Sequence, residues 1–186
     1  MSKRQIEEQI PPRRVMAGPI LKLSGKDEGI AVTVESILSG ADSPEKVADC
    51  ITNIFPSFNN SSQLNHPELG NAHQQIIRDE NLSINEFLML LHKQQILDTA
   101  LDYMSRELSS NQTKFEILRQ AAMTGKISFN IPGEKPLGGL ITIRLEGKNL
   151  KDWIEAATWH KGRDSIPRSI NDELAMHDSG EASTWI

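Results

Sequence analysis

The chain has 186 residues, a formal charge of −5 and 38% apolar residues, which suits one core domain with polar extensions and excludes a uniformly basic nucleic-acid coat. One cysteine, Cys50, excludes an intramolecular disulfide and a cysteine-rich zinc site. No stretch approaches the roughly 20 apolar residues needed to span a bilayer, and the charged start MSKRQIEEQIPPRR is followed by no apolar run, so an intracellular, cytoplasmic setting is expected.

Residues 1–28 read as a flexible basic arm. Lys3, Arg4, Arg13, Arg14, Lys22 and Lys26 stand against Glu7 and Glu8, among prolines and glycines that cannot order themselves alone. These six cations are the candidate nucleic-acid contacts, neutralising phosphates without reading bases; the arm lacks aromatic residues for stacking.

Residues 29–162 form the expected core. The run 30–38, IAVTVESIL, has strand-like β-branched residues, but Ile30, Val34, Ile37 and Leu38 also fit a helical face, and the helices that follow favour helix. Ser43 with Pro44 starts a second helix carrying Val47, Cys50, Ile51 and Ile54, which stops before Pro56. A polar loop leads to His66-Pro67, where a short helix through Ile76 and Ile77 is expected.

The strongest signal lies at 84–108. Phe87, Leu90, Gln94, Leu97, Leu101, Met104 and Leu108 recur at steps of three and four, so the spacing predicts one long helix with an apolar seam that other helices or a second copy must cover. Ser83 and Glu86 form a capping-box pattern before it. Gln94 inside the seam has the character of a register-setting residue in an oligomer, or of a polar position at a bundle edge. A further helix is expected over Phe115, Ile117, Leu118 and Ala122, ending at Gly125.

The period then changes to two. Ile127, Phe129 and Ile131, then Leu140 or Ile141, Ile143 and Leu145, read as one β-hairpin over about 126–146 with a long tip, PGEKPLGG. That tip matches no phosphate-loop spacing. Asn149 caps a last helix with Trp153, Ile154 and Ala157, and Trp159 as a further candidate for its apolar face. Residues 163–186 form a flexible acidic tail. Its end, Thr184-Trp185-Ile186, resembles the Ser/Thr-x-hydrophobic ligands of PDZ domains and is the candidate partner-binding segment.

No chemistry is declared. His66, His73, His92, His160 and His177 are scattered without ligand spacing, so no metal is assigned. No catalytic residue and no cofactor is assigned, since no serine sits in a nucleophile-elbow context. The fold class expected is mainly α: a multi-helix bundle around one long central helix, with a single β-hairpin and flexible termini. The preferred function is a non-catalytic, oligomerising structural or adaptor protein, by compositional analogy a viral or phage nucleoprotein-associated or matrix-like component of a virion or replication complex. The expected partners are a second copy, other proteins through the C-terminal tail, and RNA or DNA bound non-specifically. The alternative is a nucleic-acid-binding protein using the basic arm; an enzyme of unassigned type is third.

Overall fold

A four-stranded antiparallel sheet organises the molecule, in the order β2-β1-β4-β3. The computed structural model describes residues 22–40, 42–59 and 75–171. The strands are β1 (Ala31–Leu38), β2 (Gln75–Glu80), β3 (Gln112–Leu118) and β4 (Leu140–Glu146). The helices are α1 (Pro44–Thr52), α2 (Asn85–Gln94), α3 (Leu97–Ser105), α4 (Arg119–Ala122) and α5 (Leu150–Ala157), with a 3-10 turn at Lys161–Asp164. The mainly α bundle is therefore corrected to a sheet covered on one side by helices.

Each correction has a local cause. In β1 the residues Val32, Val34, Ser36 and Leu38 are buried at every second position, and β-branched side chains fit that pleat better than a helix surface. In β3, Thr113, Phe115 and Ile117 alternate inward in the same way, and only Arg119–Ala122 turns helical. The expected helix through Ile76 and Ile77 is the edge strand β2, with Ile77 inward and Ile76 outward.

The single long helix is two. Gln95 adopts a left-handed conformation (φ 58°), while the Ile96 N–H reaches Leu91 C=O and the Gln95 N–H reaches His92 C=O, each at 3.2 Å. Those paired bonds make a Schellman stop without its usual glycine. The 3-4 spacing runs through the break because α2 and α3 bury their faces in the same core.

The hairpin over 126–146 is also corrected. Residues 127–131 do not pair with β4, which lies between β1 and β3. Instead they follow the outer edge of β3 through an isolated bridge, Ile117 to Phe129, supported by Leu118 N–H to Ser128 C=O and Asn130 N–H to Glu116 C=O.

One face of the sheet is the floor of the core. Val32, Val34, Ile77, Phe115, Ile117, Ile141, Ile143 and Leu145 meet the helices there. Phe87 sits between Phe55 and Phe115, with ring centroids 5.9 and 5.8 Å away. Burying a side chain of this size contributes about 1.5–3 kcal/mol.

Candidate binding face of the sheet

Strand alternation sends every second side chain of the same four strands away from the helices, and no described element covers that side. The register arranges these side chains in rows across the sheet. One row is Glu80, Thr33, Arg144 and Lys114; the next is Arg78, Glu35, Thr142 and Glu116. A third carries Ile76 beside Ile37, and Leu140 beside Leu118. Ile76 and Ile37 are 57% and 48% exposed, so this apolar row faces outward on a sheet whose other side is already filled.

Glu35 is the hub of the charged rows. Its carboxylate lies 2.9 Å from Arg144 and 3.7 Å from Arg78, while Arg78 also reaches Glu80 at 2.7 Å. At the other edge Lys114 pairs with Glu107 at 3.5 Å, and Glu116 accepts a hydrogen bond from Asn130 Nδ2 at 3.0 Å. A depression of about 280 Å³ lies among Thr33, Arg78, Lys114, Arg144 and Glu146. Exposed pairs of this kind contribute at most about 1 kcal/mol each, so their value lies in patterning the face.

The end of the face is held by a buried cation. Arg119, at the start of α4, is 6% exposed, and its Nη2 donates to Ile37 C=O at 2.6 Å. Its Nη1 lies 3.1 Å from Asp42 Oδ2, at ion-pair distance but outside hydrogen-bonding geometry. Gly139 permits this approach, because a Cβ there would run into the guanidinium and its φ is +74°. Burial pushes the Asp42 carboxyl up, but hydrogen bonds from Ser39 and the Arg119 charge outweigh it and hold it below the ordinary value.

A second polar cluster ties the 3-10 turn to α3. Asp98 lies 3.1 Å from His160 Nε2 and accepts from Arg163 Nε at 3.0 Å. His160 Nδ1 accepts the Gly162 N–H at 3.2 Å, so the ring proton sits on Nε2 and points at Asp98. Both ring nitrogens are engaged, leaving neither to abstract a proton from a substrate. Burial raises the Asp98 carboxyl, but the hydrogen bonds from His160 and Arg163 and the Arg163 charge bring it below the ordinary value. Among the described residues, no group of three or more His, Cys, Asp or Glu could hold a metal ion.

The sequence-derived candidates fall in different places. Phe87, Leu97, Leu101 and Met104 are buried in the core, and Leu90 and Leu108 pack against it half-buried. Gln94 clasps the backbone of Ile127: Nε2 donates to its C=O at 2.9 Å and Oε1 accepts its N–H at 2.7 Å. Lys22 and Lys26 are exposed where the chain enters β1, whereas Lys3, Arg4, Arg13 and Arg14 lie outside the described residues, as do Thr184, Trp185 and Ile186. Arg163 and Ile170, placed in the acidic tail by composition, are buried. The open-face residues were missed by the sequence reading; their signal was the polar member of each alternating pair, Thr33 and Glu35, Lys114 and Glu116, Thr142 and Arg144.

Among the described residues no helix is long and apolar enough to cross a membrane. No family model matches the chain. It is 31% identical over 134 residues to a UPF0201 protein of Sulfurisphaera tokodaii, covering 68% of this chain and 88% of that one. A UPF0201 protein of Metallosphaera sedula is also 31% identical over 134 residues, covering 69% and 88%. The crystal structure of a UPF0201 protein from Methanococcus jannaschii shares the fold, with a TM-score of 0.59 at 24% identity over 71% of this chain and 96% of that one. A second UPF0201 crystal structure has a TM-score of 0.57 at 20% identity, covering 70% and 95%.

These archaeal cellular relatives overturn the expected viral or phage structural or adaptor component, for which the comparisons offer no link. The alternating sheet and the extent of the match together place the chain: it belongs to the UPF0201 family.

Proposed function

We propose that the chain acts by binding on the open face of its sheet, that the face takes a polypeptide rather than a nucleic acid, and that no reaction is catalysed there. The observation that carries this reading is the row of outward Ile76, Ile37, Leu140 and Leu118 laid beside two rows of mixed charge. An apolar strip bordered by polar groups is the pattern of protein interfaces.

Charge argues against phosphate. The face carries Arg78, Lys114 and Arg144 against Glu35, Glu80, Glu116 and Glu146, and a surface with more carboxylates than cations repels a polyanion. It also offers no exposed aromatic ring for a base to stack on. Catalysis on the face has no support in its groups: Glu35 and Glu80 pair with arginines and Glu116 accepts from Asn130 Nδ2, and among the described residues of the face no hydroxyl or thiol is hydrogen-bonded to a carboxylate or imidazole.

The test is a photo-crosslinking amino acid at Thr142, in the middle of the face, in the full chain inside cells. Adducts that a protease removes and a nuclease leaves intact are expected. Nuclease-sensitive adducts, or none, would reject the reading.

A further inference from the structure

We infer that the polypeptide received by the open face is a second copy of this chain, docked face to face about a twofold axis that runs along the strands between β1 and β4. The inference rests on the reading of that face as a polypeptide-binding surface and names its occupant.

The side chains at the two edges of the sheet follow complementary orders. Along β2 the outward residues are Glu80, Arg78 and Ile76; at the same levels along β3 they are Lys114, Glu116 and Leu118. A twofold parallel to the strands carries β2 of one copy over β3 of the other without changing level. Glu80 then faces Lys114 of the second copy, Arg78 faces Glu116, and Ile76 faces Leu118. Over the central strands Ile37 meets Leu140, Thr33 meets Arg144, and Glu35 meets Thr142. No row places like charges together, and the apolar row meets itself.

That last property selects the axis. A twofold across the strands would also satisfy the charges, setting Glu80 against Arg78 and Lys114 against Glu116. It would, however, lay Leu140 against Glu146 and Leu118 against Gln112, because it exchanges the apolar end of the face for the polar end. Desolvating a carboxylate against leucine is costly, so only the axis along the strands suits both charge and burial. A tilt of about 15° from the strands would give the roughly 30° angle at which aligned sheets pack.

Size sets the strength. Four strands about 4.8 Å apart and seven residues long present a face of roughly 20 by 23 Å, so two copies bury on the order of 1,000 Å², near the lower bound for specific association. A dimer with a dissociation constant in the micromolar range is expected, and isologous symmetry makes each substitution count twice.

Sedimentation of the full chain across concentration tests this. The wild type should shift from monomer to dimer below about 100 µM. Glu80→Lys puts Lys against Lys114 of the second copy twice over and should raise the dissociation constant by about tenfold or more; adding Lys114→Glu restores opposite signs and should recover most of that loss. A monomeric wild type overturns the inference, whether the face is bare or covered by other residues of the chain. So does a dimer indifferent to Glu80→Lys, or a double variant no better than the single. Failure here is separable from failure of the binding reading: photo-adducts at Thr142 with a different polypeptide would keep that reading and dismiss the second copy.

Discussion

Replacing Arg119 by Met removes the cation that fixes the end of β1 beside Ile37 while keeping much of the side-chain volume. The Nη2 bond to Ile37 C=O is a hydrogen bond from a charged group, worth about 1.5–3 kcal/mol when lost from a buried site. Asp42 loses its partner at 3.1 Å, but its side chain is 21% exposed, so water offsets part of that loss. In the other direction, Arg119 Nε and Nη1 are buried without a hydrogen-bond acceptor, and removing them relieves about 1–2 kcal/mol of desolvation cost. The net loss is expected on the order of 2 kcal/mol, seen in urea unfolding as a lower midpoint at unchanged slope. Asp42→Asn should be costly in the wild-type background and nearly neutral beside Met at 119, a coupling of about 1 kcal/mol. An Arg119→Met change under about 0.5 kcal/mol, or equal costs of Asp42→Asn in both backgrounds, would refute the account of this end of the face.

Gln94→Leu should leave the N–H and C=O of buried Ile127 without their partners and cost about 2–4 kcal/mol, with amide exchange accelerated first at Ile127; unchanged stability and exchange would show that the clasp is dispensable. For pH, Asp98 and Asp42 are held below their ordinary 3.8, so the unfolded chain binds those protons first as pH falls. Their contribution is present above about 3.8 and lost below it as pH falls through the folded values. His92 is depressed below 6.5 by burial, then by the neighbouring His160, so its contribution is likewise present above about 6.5 and declines as pH falls. Urea midpoints should therefore drop in two stages between pH 8 and 3, with His92→Asn removing the upper stage; a stability maximum below pH 5 would contradict these directions.

Much of the core was legible in the sequence, and its architecture was not. Leu88, Leu91, Leu97, Leu101 and Met104 are apolar because they are buried, whichever helix holds them, so periodicity found the burial and passed over the stop at Gln95. The strands were lost to a different ambiguity. Seven or eight residues with alternating apolar side chains contain enough coincidences at three and four to imitate a helical face, as Phe115, Leu118 and Ala122 did. Pairing decides such cases, and pairing is non-local: β1 meets β4 across more than a hundred residues. The binding face was invisible for the same reason, since Glu80 and Lys114 have no relation in sequence and acquire one only through the register of four strands. Composition alone also drew the tail boundary at 163, yet Arg163 and Ile170 belong to the packed structure.

The claim that the open face receives a second copy is met most directly by isotope-filtered nuclear Overhauser spectroscopy on a mixture of labelled and unlabelled chains, which reports only contacts between copies. A face-to-face dimer about the axis along the strands gives intermolecular contacts from the Ile76 methyls to Leu118 and from Ile37 to Leu140. Intermolecular contacts from Ile37 to Ala31, or a spectrum with none from the sheet at dimeric concentrations, would contradict it.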